Sequence, residues 1–309
     1  YFEYKKNLKI IDKLYPSPKS IILNTETHDN FTFKQLSPPI LKSPIVKEAK
    51  IKKKFKKRII NDRIVHFEKI KKNLIKVFTE NDILHCRNLI LCAGPVGNGL
   101  ILLRSFKKIK YFSFKDDNPR MIFGLKFGGK FNSMNDDVKL ADYDIYKNKK
   151  LINYSTIYNI DPNHFNSFFR PIIKFLRVVL IKIFFYGQFW VRDEYNEIKI
   201  SNGKQSLSLS GKNLNSKKEN VNTIKNFKKI GFKILKILKL KYAYGFHYHC
   251  LQIKYQNKLF SLNKFLNKIK MNKNVYCFDS SVINKIGLKP PTKTFLATAN
   301  YLVKKRFNK

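Results

Sequence analysis

The chain has 309 residues, of which 43% are hydrophobic and 14% aromatic; that excludes a disordered polymer and allows two domains or one large composite domain. Lys and Arg number 63 against 21 Asp and Glu, a formal net charge of +42. Lys is spread along the whole chain, which is also rich in Asn, Ile, Phe and Tyr, so the charge reads first as compositional drift and no dedicated nucleic-acid module is expected.

Residues 1–57 are expected to be weakly organised, since Pro16, Pro18, Pro38, Pro39 and Pro44 punctuate them. Residues 47–58 form a charge run that reads as a solvated connector. Order rises at Arg58. Residues 59–67 and 73–78 read as strands, with a turn over 68–72. Residues 85–93 read as one strand running into Gly94. Its apolar run Leu89-Ile90-Leu91-Cys92 suits burial on both faces of a parallel sheet, and the helix that follows begins at Leu100.

Short alternating stretches at 111–114, 121–127, 152–157 and 189–200 predict an antiparallel sheet. Residues 168–190 are apolar but interrupted by Arg170, Lys174, Arg177 and Lys182, too many charges for a membrane span. This stretch reads as an amphipathic helix packed on its own domain, with peripheral contact to an anionic membrane as the alternative. Asn202-Gly203 carries the chemistry of a type I′ hairpin turn between strands at 197–201 and 204–210. Ile224, Phe227, Ile230, Ile234, Ile237 and Leu238 recur at helical spacing and predict one helix. Buried-strand texture returns at 275–278. A final helix has the apolar positions Phe295, Leu296, Ala299, Leu302 and Val303.

Cys86, Cys92, Cys250 and Cys277 form no CxxC pair and no zinc-ligand spacing. Free thiols of this kind fit a reducing, cytoplasmic setting. Two glycine-rich stretches are decoys. Gly124-Leu-Lys-Phe-Gly-Gly-Lys130 lacks the Ser or Thr of a phosphate loop, and Gly94-Pro-Val-Gly-Asn-Gly99 has the wrong glycine spacing for a dinucleotide loop.

Three segments carry the chemistry. The first is Asn88-Leu-Ile-Leu-Cys-Ala-Gly-Pro-Val-Gly-Asn-Gly-Leu-Ile-Leu-Leu-Arg-Ser105, a strand that ends in small residues ahead of a helix. The second is Asn274-Val-Tyr-Cys-Phe-Asp-Ser-Ser-Val282, followed by Lys289-Pro-Pro-Thr-Lys-Thr-Phe-Leu-Ala-Thr-Ala-Asn-Tyr-Leu302. The third is Gly245-Phe-His-Tyr-His-Cys-Leu251. Together they resemble the glucose–methanol–choline oxidoreductases, over residues 58–105 and 242–309 by motif and over 106–241 by position.

The resemblance implies an α/β (α+β composite) chain: a Rossmann-like FAD-binding domain built from 1–105 and 242–309, with an antiparallel substrate domain, 106–241, inserted between. It implies FAD as cofactor, with Ala93, Gly94, Asp279, Ser281 and Thr292 against it and Asp279 accepting a hydrogen bond from the ribityl chain. The substrate would be a small-molecule alcohol, a sugar or polyol among the options. Its hydroxyl proton would pass to His247, with His249 as rival or second polar group, while the flavin takes the hydride. The electron acceptor is unknown. The chain departs from the family pattern at Cys250 and Leu251, where Gly and Thr are usual. It departs again at Pro290, where Asn or His is usual, and no GxGxxG loop lies upstream of Ile59. These departures keep open a catalytically degenerate member of the family, or a basic protein that binds polyanions or membrane surfaces.

Overall fold

The computed structural model describes residues 22–28, 31–36, 53, 59–116, 120–126, 139–158, 167–168, 170–191, 196–202, 207–213, 217–239, 248–284 and 292–307. In chain order the elements begin with β1 (Ile22–His28), β2 (Phe31–Leu36), β3 (Ile64–Lys71), β4 (Leu74–Thr79), β5 (Ile83–Cys86), β6 (Leu89–Leu91) and α1 (Gly94–Ser105). The middle of the chain supplies β7 (Ile109–Asp116), β8 (Arg120–Lys126), β9 (Lys139–Lys147), β10 (Lys150–Tyr158), α2 (Arg170–Ile183), β11 (Phe184–Val191), β12 (Asn196–Asn202) and β13 (Leu207–Asn213). Then come α3 (Lys217–Lys229), β14 (Phe232–Lys239), β15 (Tyr248–Tyr255), β16 (Lys258–Ser261), α4 (Leu262–Lys268), β17 (Val275–Cys277), a 3-10 turn (Ser280–Val282) and α5 (Thr292–Phe307).

The fold is mixed α/β and mostly sheet. A seven-stranded sheet runs β1-β2-β9-β10-β11-β8-β14 and a five-stranded sheet runs β13-β12-β7-β15-β16. A three-stranded meander, β3-β4-β5, and the pair β17-β6 complete it. Among the described residues, parallel pairing is confined to β6 and β17; the other ladders are antiparallel. The five-stranded sheet takes strands from both the 106–241 and the 242–309 segments.

Two apolar cores follow from this layering. The first joins Phe67 and Val77 of the meander, Leu102 of α1, Phe112 of β7, Ile198 of β12, Ile253 of β15 and Phe265 of α4. Here α1 lies close on β7: a Cβ on Gly99 would come within 2.4 Å of the Phe112 ring, so only glycine permits the approach. The second core covers one face of the seven-stranded sheet, where Phe227 of α3 packs with Phe185, Phe189 and Phe232.

Several expectations from sequence need correction. Residues 22–28 and 31–36, expected to be weakly organised, form the antiparallel pair β1–β2 at the edge of the seven-stranded sheet; the charge run at 47–58 lies outside the described residues, Lys53 excepted. The strand expected over 59–67 starts only at Ile64, and β3 runs on to a tight turn at Lys72-Asn73. The single strand expected over 85–93 is two, β5 in the meander and β6 in the parallel pair. Ile90 is 46% exposed, so the apolar run is not buried on both faces. The strand expected over 189–200 is also two, β11 and β12, in different sheets. The helix expected across 168–190 ends at Ile183. The one expected across 224–238 ends at Lys229, where Gly231 at φ 82 stops it, and Phe232 starts a strand.

Candidate functional site

The first two chemistry-bearing segments meet although nearly two hundred residues separate them. β6 and β17 pair in parallel, Leu89 with Val275 and Leu91 with Cys277. The Leu89 N–H donates to the Asn274 carbonyl at 2.8 Å, and the Asn274 amide donates to the Arg87 carbonyl at 3.1 Å. Both strands end at the same level, so Ala93-Gly94 and Asp279 lie side by side beyond their carboxyl ends. That is the position where α/β sheets leave room for ligands.

Asp279 and Asn98 tie these ends together. One Asp279 oxygen accepts the Gly94 N–H at 2.7 Å and the Asn98 amide at 2.9 Å. The other accepts the Ser281 N–H at 2.8 Å and the Cys277 thiol at 3.2 Å. Asn98, fully buried, also donates to the Ser281 hydroxyl at 2.9 Å and accepts the Ala93 N–H at 3.1 Å. Gly94 has φ 69, a left-handed conformation that favours glycine, and a Cβ there would meet nothing within 4 Å. The carboxylate thus sits against the N-terminus of α1, where the exposed N–H groups favour negative charge. Burial pushes the Cys277 thiol well up, and the Asp279 charge adds to it, so the sulfur stays protonated and donates. Burial, with Asp279 second, also raises Cys92.

The third segment comes next to this cluster. β15 packs against the 3-10 turn, and the Cys250 thiol donates to the Asn284 side-chain oxygen at 3.8 Å. Cys250 has φ 57 inside a bulge: His249 pairs with Lys115 and the next registered pair is Gln252 with Ser113. The position where the family resemblance expects Gly therefore has a backbone that favours Gly. His249 is buried at 3% exposure. His247 and Pro290 lie outside the described residues. Thr292 is the first residue of α5, whose first turn carries no acidic side chain.

Sequence reasoning misses Asn98 as a site residue. The available signal is a polar side chain one turn into an otherwise apolar strand-to-helix element, where burial forces it to find partners. Among the described residues no group of His, Cys, Asp and Glu is arranged to hold a metal ion.

The acceptor positions of Asp279 are filled by four donors, of which the thiol is the weakest. A phosphate does not suit the same spot, because the carboxylate already holds the helix end.

No family model and no curated protein matches the chain. Among solved structures, pyridoxine 4-oxidase from Mesorbium loti is similar over 80% of this chain and 57% of its own, at 9% identity and a TM-score of 0.47. A structure described as a protoporphyrinogen oxidase from Exiguobacterium sp. 255-15 is similar over 79% of this chain and 46% of its own, at 8% identity and a TM-score of 0.26. The chain spans less than two thirds of either structure.

Proposed function

We propose that this chain forms part of a flavin-dependent oxidoreductase acting on the CH–OH group of a small-molecule alcohol. The observation that carries the reading is the 2.7 Å hydrogen bond from the Gly94 N–H to Asp279, within a partly buried network that joins two segments distant in sequence. Asp279 would hold a ribityl hydroxyl. Asn98 and Ser281 fix the carboxylate, and Ala93 and Gly94 leave open backbone for close approach. A bound flavin would supply the hydride acceptor. His247 takes the hydroxyl proton in this reading, with His249 as the second polar group. The N-terminus of α5 at Thr292, with no acidic residue in its first turn, would stabilise negative charge at that end of the helix.

The test is the visible absorption spectrum of the purified chain before and after FAD is added. Flavin bands that shift on binding, with about tenfold weaker affinity in Asp279→Ala, are expected; a tenfold change is about 1.4 kcal/mol. Bleaching by an alcohol that disappears in His247→Ala while the flavin stays bound would establish the enzyme. Bound flavin that no alcohol bleaches would favour the catalytically degenerate reading, for which Pro290 is the motivating departure. Absence of any flavin interaction would sink the proposal.

A further inference from the structure

The helix α2 shows an apolar face to solvent. Phe175 is 86% exposed, Ile172 53% and Leu176 41%, and Phe168, just before the helix, is 74% exposed. Positions 172, 175 and 176 fall on one side at helical spacing. Arg170 and Lys174, four apart and both exposed, fall roughly opposite. The helix sequence, Arg-Pro-Ile-Ile-Lys-Phe-Leu-Arg-Val-Val-Leu-Ile-Lys-Ile, has four cations and no acid. Sequence alone predicts a helix packed on its own domain. Among its described side chains, Ile172, Phe175, Leu176 and Ile183 are exposed. α2 touches β8 and β11, onto whose sheet it leads.

An exposed apolar face backed by an all-basic polar face is the pattern of a helix that lies in a lipid interface. A helix of 14 residues is too short to cross a bilayer, which needs about 20. No helix among the described residues is long and apolar enough to do so. We propose that α2 is an interfacial anchor, laying Phe168, Ile172, Phe175 and Leu176 into the surface of an anionic bilayer while its cations meet the lipid headgroups. The net charge of +42 selects anionic over zwitterionic lipid.

Charge alone would bring so basic a chain to anionic vesicles, so the test must read insertion. Trp190 is the chain's one tryptophan and is 6% exposed, which leaves a reporter at position 175 distinguishable from it. The full chain carrying Phe175→Trp is mixed with vesicles of phosphatidylcholine, with and without about one third phosphatidylserine. Expected are a blue shift and quenching by brominated lipid tails with phosphatidylserine only. The double variant Phe168→Ser, Phe175→Ser should lower vesicle partition at least about tenfold while circular dichroism stays unchanged. Binding that the double variant leaves intact, or a reporter signal from position 175 that brominated tails do not quench, overturns the proposal in favour of simple charge adsorption. A blue shift without lipid that grows with protein concentration overturns it in favour of a second copy covering the face.

Discussion

Asn98 shows how much a single side chain decides here. Its amide is the shared partner of Asp279, Ser281 and the Ala93 N–H, and it has no exposure to water. Asn98→Ala should therefore destabilise the chain by about 2 kcal/mol, because the groups left behind lose their partner without regaining solvent. A urea unfolding midpoint checks this, and a midpoint equal to wild type would mean the network is ornamental. Cys250 offers a second test. At φ 57 a side chain costs about 1–2 kcal/mol against an ordinary backbone. Cys250→Gly should be close to neutral, since relief of strain offsets the lost thiol packing and the added chain entropy. Cys250→Val, though apolar and similar in size, should lose about 2 kcal/mol because a β-branched side chain tolerates that φ worst. Equal midpoints for Gly and Val would contradict the strained bulge. The sequence singles out Gly94 and Asp279 through their motifs, and the structure joins them by a hydrogen bond. Sequence does not reveal Asn98, because a lone Asn in an apolar helix looks the same whether it is a hub or a tolerated exception.

At the scale of elements, the errors in reading the sequence share one cause: local pattern does not say which sheet a strand joins. The stretch 232–239, Phe-Lys-Ile-Leu-Lys-Ile-Leu-Lys, satisfies helical spacing and also places Phe232 and Ile234 on one face of a strand. Pairing with β8 decides for the strand. β12 and β13 pair as the Asn202-Gly203 signal leads one to expect, but Ser201 faces Ser208 and Asn202 faces Leu207 where the expected turn would set Ser201 against Lys204; residues 203–206 lie outside the described residues. That register sets Leu209 opposite Ile200, a position fixed by β12's own place beside β7 in the core. Gly124, which opens the decoy phosphate loop, is a strand residue, where a Cβ would strike the Lys233 carbonyl at 2.3 Å. In the same strand Lys126 is 6% exposed, and burial lowers its pKa from 10.5 to about 8. Between those two values the folded chain binds fewer protons at this site than the unfolded chain, so its contribution to stability rises with pH across the window. Subtracting the profile of Lys126→Met from that of wild type should leave a rise from about pH 8 to 10.5. A flat difference would show that Lys126 keeps its proton.

For the molecule as a whole, +42 charges on one chain must repel. Raising ionic strength from about 0.01 M to 0.15 M shortens the Debye length from about 30 Å to 8 Å, so the melting temperature should climb over that range. A melting temperature that stays level or falls would mean attractive pairs balance the repulsion. Charge was fully legible from composition, as were the strand-rich middle of the chain, the small-residue end of β6 and the buried texture of β17. Each of these depends on residue type and spacing within a few positions, which sequence contains. The tertiary structure alone decided that β6 and β17 lie side by side, that Asn98 closes the network on Asp279, that the bulge in β15 puts Cys250 in a glycine's conformation, and that Ile172, Phe175 and Leu176 of α2 stay exposed. These facts depend on which distant segments share a ladder or a core, and pairing energy of that kind is carried by contacts that no local window of sequence contains.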